Sequence, residues 1–180
     1  MIFRLLYSLL LLTILIGCQS DPVQSDCVNS PNPKTVLKYE GPNVGILVVN
    51  GVYNSELTAP MDIFEHTKYR ENIDPMNVFL ISNTTDAIVS SEGLVIYPDF
   101  NYSEDYPEID ILVVPSGEHS MGSDLEDKKM ISFVQEVAKQ ADYVTSHCDG
   151  AFVLAHAGLL DGVHCTTYPG DRIAMQERYS

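Results

Sequence analysis

Tyr143-Val144-Thr145-Ser146-His147-Cys148-Asp149-Gly150-Ala151-Phe152-Val153-Leu154-Ala155 is the stretch on which the fold assignment turns. A β-branched pair, Val144 and Thr145, runs into Cys148 and the small residue Gly150, and an apolar helix continues through Ala151, Phe152, Val153 and Leu154. That order describes a nucleophile elbow, a tight strand-to-helix turn that lifts one side chain above a sheet at a helix N-terminus. The positive end of the helix dipole favours thiolate over thiol, which makes a cysteine reactive. A free cysteine also packs as a small hydrophobe; the sequence strand, cysteine, glycine, helix favours the reactive reading.

Upstream of the elbow, strand and helix patterns alternate. Val44-Gly45-Ile46-Leu47-Val48-Val49 and Ile109-Asp110-Ile111-Leu112-Val113-Val114 are apolar runs of the kind buried on both faces of a parallel sheet. Asn77-Val78-Phe79-Leu80-Ile81 and Leu94-Val95-Ile96 read as further strands. A helix is expected from Ala59 to Arg70, with Pro60 in its first turn, where proline is tolerated. Leu125 to Gln140 reads as an amphipathic helix with Met130, Phe133, Val134 and Val137 on its apolar face. After the elbow helix, which ends at Gly158, a turn over Leu159-Leu160-Asp161-Gly162 leads to a short expected strand, His164-Cys165-Thr166-Thr167. The pattern predicts one α/β domain with a mainly parallel sheet covered by helices on both sides. In such sheets the site lies at the carboxyl ends of the strands. Cys148, Ser116-Gly117 and Asn50-Gly51 all fall there.

Three groups can converge on Cys148. Glu56 lies in the expected loop after the first strand, and a carboxylic acid near the sulfur can hydrogen-bond the thiolate and shuttle a proton. On its own it reads equally as a solvated or helix-start acid. Backbone N–H groups of Gly117 and Asp149 are candidates for an oxyanion pocket. The charge of Asp149 opposes thiolate formation, while the dipole and a protonated Glu56 favour it; the net expectation is a thiol pKa below the ordinary value. Of the histidines, His66 and His156 fall on expected helices and His147 is expected to point away from the site. His119 alone is placed near the cleft as a candidate accessory residue. No histidine pair has the helical spacing or carboxylate company of a metal site, so no metal is expected.

The first strand, the Glu56 to Pro60 segment, Asp110 to Gly117, and Cys148 to Ala155 with Ala157-Gly158-Leu159-Leu160-Asp161-Gly162 together resemble the PfpI family. This family shares a superfamily with the parkinsonism-associated protein and has a class I glutamine amidotransferase-like, flavodoxin-like fold, a three-layer sandwich. The similarity runs from about Asn43 to Tyr179 and points to the branch of isonitrile hydratases and amidotransferase-like domains of AraC-type regulators. The resemblance implies Cys148 as nucleophile, Glu56 as its acidic partner and no cofactor. PfpI-type peptidases carry histidine after the cysteine, where this chain has Asp149, so peptidase activity is not expected. The hydratase branch usually has threonine there. Ser116-Gly117 stands where the family has Gly-Gly. Because family members continue beyond the position of Ser180, a domain over residues 43–180 truncated at its C-terminus is expected.

The N-terminus sets the expected address. Arg4 followed by the apolar run Leu5 to Ile16 is too short to span a bilayer and fits a secretory signal. Leu15-Ile16-Gly17-Cys18 resembles a bacterial lipobox, so residues 1–17 are expected to be removed and Cys18 lipidated. Residues 18–42, with Pro22, Pro31, Pro33 and Pro42, read as a tether. The expected location is the bacterial cell envelope, membrane-tethered and facing the periplasm or the surface. At a net charge of −15 the chain has no basic patch to neutralise phosphates, so nucleic acid is not an expected partner. A small-molecule substrate, the membrane and a second copy of the chain are the expected partners. An oxidising compartment permits a Cys27–Cys165 disulfide, which nothing in the sequence requires.

The functional expectation is cysteine-dependent hydratase or hydrolase chemistry on a small electrophile. An isonitrile would give a thioimidate and a dicarbonyl a hemithioacetal, with Glu56 moving the proton. The alternative is a non-catalytic binding or redox-sensing module built on an oxidisable Cys148.

Overall fold

The computed structural model describes residues 37–179; the expected signal segment, Cys18, Cys27 and the tether up to residue 36 lie outside them. The elements in chain order are β1 (Asn43–Leu47), α1 (Asn54–Glu65), a 3-10 turn (His66–Tyr69), β2 (Asn77–Ser82), β3 (Ile88–Val89), β4 (Val95–Ile96) and β5 (Phe100–Asn101). Then follow β6 (Ile111–Val114), a 3-10 turn (Ser123–Glu126), α2 (Lys128–Val137), β7 (Tyr143–Ser146), α3 (Gly150–His156) and α4 (Arg172–Tyr179). Five strands form one parallel sheet in the order β5-β2-β1-β6-β7, and β3 and β4 form a separate antiparallel pair.

Alternation along the strands explains the layers. Val44, Ile46 and Val48 of β1 and its extension, fully buried, pack with Leu57 of α1, Leu80, Val113 and the β3–β4 pair through Ile88 and Ile96. Leu47, Phe79, Ile81, Leu112 and Val114 point to the other face, onto Met130, Phe133, Val134 and Val137 of α2 and Val153 and Leu154 of α3. Because successive strand side chains point to opposite faces, an unbroken apolar run feeds both cores. The strip of α2 residues expected from helical spacing is buried as read. Asp127 caps that helix, its Oδ1 accepting from the N–H groups of Lys129 at 2.9 Å and Met130 at 3.1 Å.

Several local expectations are corrected. α1 starts at Asn54 rather than Ala59, so Pro60 sits in the helix interior and Glu56 lies in the first helical turn rather than in a loop. The early start has a tertiary cause: Glu92, from the β3–β4 connection, accepts a hydrogen bond from the Asn54 N–H at 2.9 Å. A carboxylate there satisfies an orphan donor and complements the helix dipole. His164 to Thr167 form no strand; Thr167 is buried and spends its hydroxyl on the elbow instead. The two-residue strands β3 and β5 and the helix α4 were not expected from the sequence.

β1 and β6 are neighbours from which the chain crosses to opposite sides of the sheet order. That is the topological switch point of a doubly wound sheet, where crossovers diverge and leave a crevice beyond the strand ends. Here the crevice is lined by the loops after β1 and β6. They are fastened by Tyr53 N–H to Ser116 O at 3.1 Å, Glu118 N–H to Gly51 O at 3.0 Å, and a bridge between Val52 and Gly117.

Candidate active site

Cys148 has φ +50°, alone among the described non-glycine residues in the left-handed region. A cysteine there is strained, and the surrounding structure must hold it. It does so with backbone bonds on both sides of the turn: His147 N–H donates to Val114 O at 3.1 Å, and Gly150 N–H to His147 O at 2.9 Å. Gly150 is required by space. A Cβ at that position would lie 2.2 Å from Val114 O and 3.0 Å from Pro115 O, so only glycine lets α3 approach the end of β6 this closely. From the other side, Thr167 Oγ1 lies 3.1 Å from Cys148 O and 2.7 Å from Asp149 Oδ1, tying the segment before α4 to the elbow.

The structure brings Glu56 to the elbow from α1. Its Oε2 lies 3.7 Å from His147 Nδ1, with both side chains partly buried. Its charge acts on Cys148. His147, expected to point away, is thus the histidine that meets the acidic residue. His119 instead lies beside Glu118, Nε2 to Oε2 at 4.0 Å, and more than half of its side chain is exposed. The two proposed oxyanion donors have other partners here. Gly117 N–H donates to Ser120 Oγ at 2.8 Å, and the Asp149 N–H hydrogen-bonds the Cys148 sulfur.

The electrostatic balance at the sulfur differs from the sequence expectation. Burial, the largest effect, pushes the Cys148 thiol above its ordinary value; the Asp149 N–H and the Ser116 hydroxyl pull it down, and the carboxylates of Asp149 and Glu56 push it up. The lowered pKa expected from the helix dipole is therefore not found. α3 spans seven residues, and a dipole from so short a helix cannot offset desolvation and two nearby negative charges. Tyr53, which sequence reading did not single out, also belongs to this neighbourhood. Its phenol is raised by burial first and then by the charges of Glu118, Cys148, Asp149 and Glu92. No sequence signal marked it, because the helix that starts beside it was expected only from Ala59.

Among the described residues no group of histidine, cysteine and carboxylate side chains is arranged to hold a metal ion. Two surface hollows, of about 680 Å³ along α1 from Thr58 to Tyr69 and about 450 Å³ between α3 and α4, do not include Cys148. The convergence of elbow, acid and buried hydroxyl at the switch point marks the site better than cavity size does.

The DJ-1/PfpI family matches this chain over residues 42–180. The chain belongs to the DJ-1/PfpI family. Isonitrile hydratase from Pseudomonas putida is 34% identical over 125 residues, covering 69% of this chain and 51% of the hydratase. The chain thus spans about half the length of that curated relative. A two-domain protein from Anabaena variabilis with DJ-1/ThiJ/PfpI-like and ferritin-like domains superposes with a TM-score of 0.63 at 22% identity, over 76% of this chain and 38% of that one. DJ-1 from Schizosaccharomyces pombe superposes with a TM-score of 0.60 at 21% identity, over 76% of this chain and 73% of its own. These structures share the flavodoxin-like, glutamine amidotransferase-like sandwich. Within that DJ-1/PfpI frame, Cys148 occupies the elbow and Glu56 the first turn of α1.

Proposed function

We propose that this DJ-1/PfpI protein is a cysteine-dependent hydratase acting on a small electrophile of the isonitrile type, with dicarbonyl compounds as the second substrate class. The observation that carries the reading is Cys148 held at φ +50° in the elbow, with the Glu56 charge acting on its sulfur. Homology to isonitrile hydratase supports the substrate class.

For an isonitrile, the Cys148 sulfur adds to the terminal carbon and forms a C–S bond. That carbon takes up a proton, delivered by Glu56, to give a thioimidate. Water then adds to the same carbon, the C–S bond breaks, and the sulfur leaves with a proton as the thiol; the product is the N-substituted formamide. Atoms balance with one water consumed and no redox change. The raised thiol makes the resting nucleophile a thiol, so proton removal belongs to the addition step, and Glu56 is the nearby group able to accept it.

The proposal extends to the address. A lipid on Cys18 and the tether over residues 18–42 would hold the domain at a bacterial envelope membrane, supported by the lipobox-like Leu15-Ile16-Gly17-Cys18. Among the described residues no helix is long and apolar enough to cross a membrane.

The test is turnover of a simple alkyl isonitrile by the full chain, followed as formamide by mass spectrometry. Cys148→Ala should abolish product, and Glu56→Gln should reduce it at least about 10²-fold while Cys148 still alkylates. Stoichiometric oxidation of Cys148 without turnover of isonitriles or dicarbonyls would favour the redox-sensing alternative.

A further inference from the structure

Ser116 is fully buried; its hydroxyl meets no hydrogen-bond partner in good geometry, and the group it acts on is the Cys148 sulfur, whose thiol it pulls down. A buried hydroxyl without a well-aligned partner is costly, and its persistence asks for a reason. Strand register supplies one. β6 and β7 are parallel and pair Val114 with Ser146, so Ser116 and Cys148 each lie two residues past a matched pair, on neighbouring strand ends. The backbone of Ser116 is fixed there by its carbonyl, which accepts from Tyr53 N–H at 3.1 Å. Cys148 is pressed toward that strand end by the close approach of Gly150 to Val114 and Pro115.

We infer that Ser116 is the side-chain hydrogen-bond donor to the Cys148 thiolate, a role the sequence offered to Glu56. The inference rests on Cys148 being the nucleophile. In the thiol form the hydroxyl meets the sulfur without good hydrogen-bond geometry; on ionisation it donates fully to the sulfur, alongside the Asp149 N–H. Glu56 is then free for proton transfer, and its contact with His147 at 3.7 Å fits that division of labour. The other groups facing the sulfur oppose ionisation: the carboxylates of Asp149 and Glu56 directly, with Tyr53 adding no positive charge. Asp149 Oδ1 is held by Thr167. A neutral donor fixed inside the fold suits such an acidic site, because it stabilises the thiolate without a cation.

The experiment is the pH dependence of Cys148 alkylation by iodoacetamide, read by peptide mass spectrometry on the full chain. Wild type is compared with Ser116→Ala, Ser116→Gly and Glu56→Gln, and thermal unfolding identifies the folded variants. A hydrogen bond to a charged group is worth about 1.5–3 kcal/mol, or about one to two pH units. Both Ser116 variants should move the midpoint up by about one unit, leaving about tenfold less thiolate at pH 8. Glu56→Gln should move it down, because a negative charge is lost. Unchanged midpoints in folded Ser116 variants, or a midpoint that rises in Glu56→Gln, overturn the inference and return the donor role to Glu56. Failure of Cys148 to alkylate at any pH, while exposed Cys165 reacts, removes the nucleophile reading itself and this inference with it.

Discussion

Gly150→Ala sets two effects of opposite sign against each other. In an ordinary helix this change stabilises, by up to about 1 kcal/mol, because alanine has the higher propensity. Here the new Cβ would stand 2.2 Å from Val114 O and 3.0 Å from Pro115 O. Both are backbone atoms at the carboxyl end of β6, an interior strand of the sheet, and neither can swing aside as a side chain could. Ordinary contact begins at about 3.5 Å, so α3 must retreat by roughly 1 Å. Overpacking of this kind costs about 1–3 kcal/mol or more, and packing wins over propensity. The expected result is a net loss of about 1–2 kcal/mol, read as a lower midpoint in urea unfolding with an unchanged slope. The same retreat lifts Cys148 out of its turn, and a 1 Å misplacement at a reacting group costs about 10²-fold in rate. Isonitrile turnover should therefore fall far more than stability does. A variant as stable as wild type and equally active would refute the claim that Gly150 sets the approach of α3 to the sheet.

Other expectations follow from single contacts. Because the Cys148 thiol is raised, its alkylation rate at pH 7 should lie below that of a free cysteine peptide and climb about tenfold per pH unit through pH 8. Asp149→Asn removes a charge that pushes the thiol up while keeping an acceptor for Thr167, so the alkylation profile should shift to lower pH. Asp127→Ala removes the cap of α2 and the acceptor for Tyr102 Oη at 3.1 Å, and should cost about 1–2 kcal/mol in chemical unfolding. Phe79→Ala empties a fully buried position packed edge-on to Phe100 at 5.1 Å, and should cost about 3–5 kcal/mol.

The sequence by itself determined the fold class, because an all-parallel sheet writes its strands as continuous apolar runs and the elbow writes a strand, a cysteine and a glycine in fixed order. Val44 to Val48, Leu112 to Val114 and the α2 stripe were legible for that reason, and so was Cys148 as a candidate; Glu56 was singled out through the resemblance to the family. Tertiary structure alone decided what depends on groups distant in the chain. α1 begins at Asn54 because Glu92 caps it from 38 residues away, which local propensity and the proline signal could not reveal. Thr167 left the strand pattern because its hydroxyl meets the elbow, and the β-branched residues of its segment read as strand in any context. His147 rather than His119 meets Glu56 because β7 ends at Ser146, so the strand alternation by which its direction was read does not reach it. The sign of the Cys148 shift was likewise beyond the sequence. A helix N-terminus can be read from residue order, but desolvation and the approach of two carboxylates are properties of the packed site.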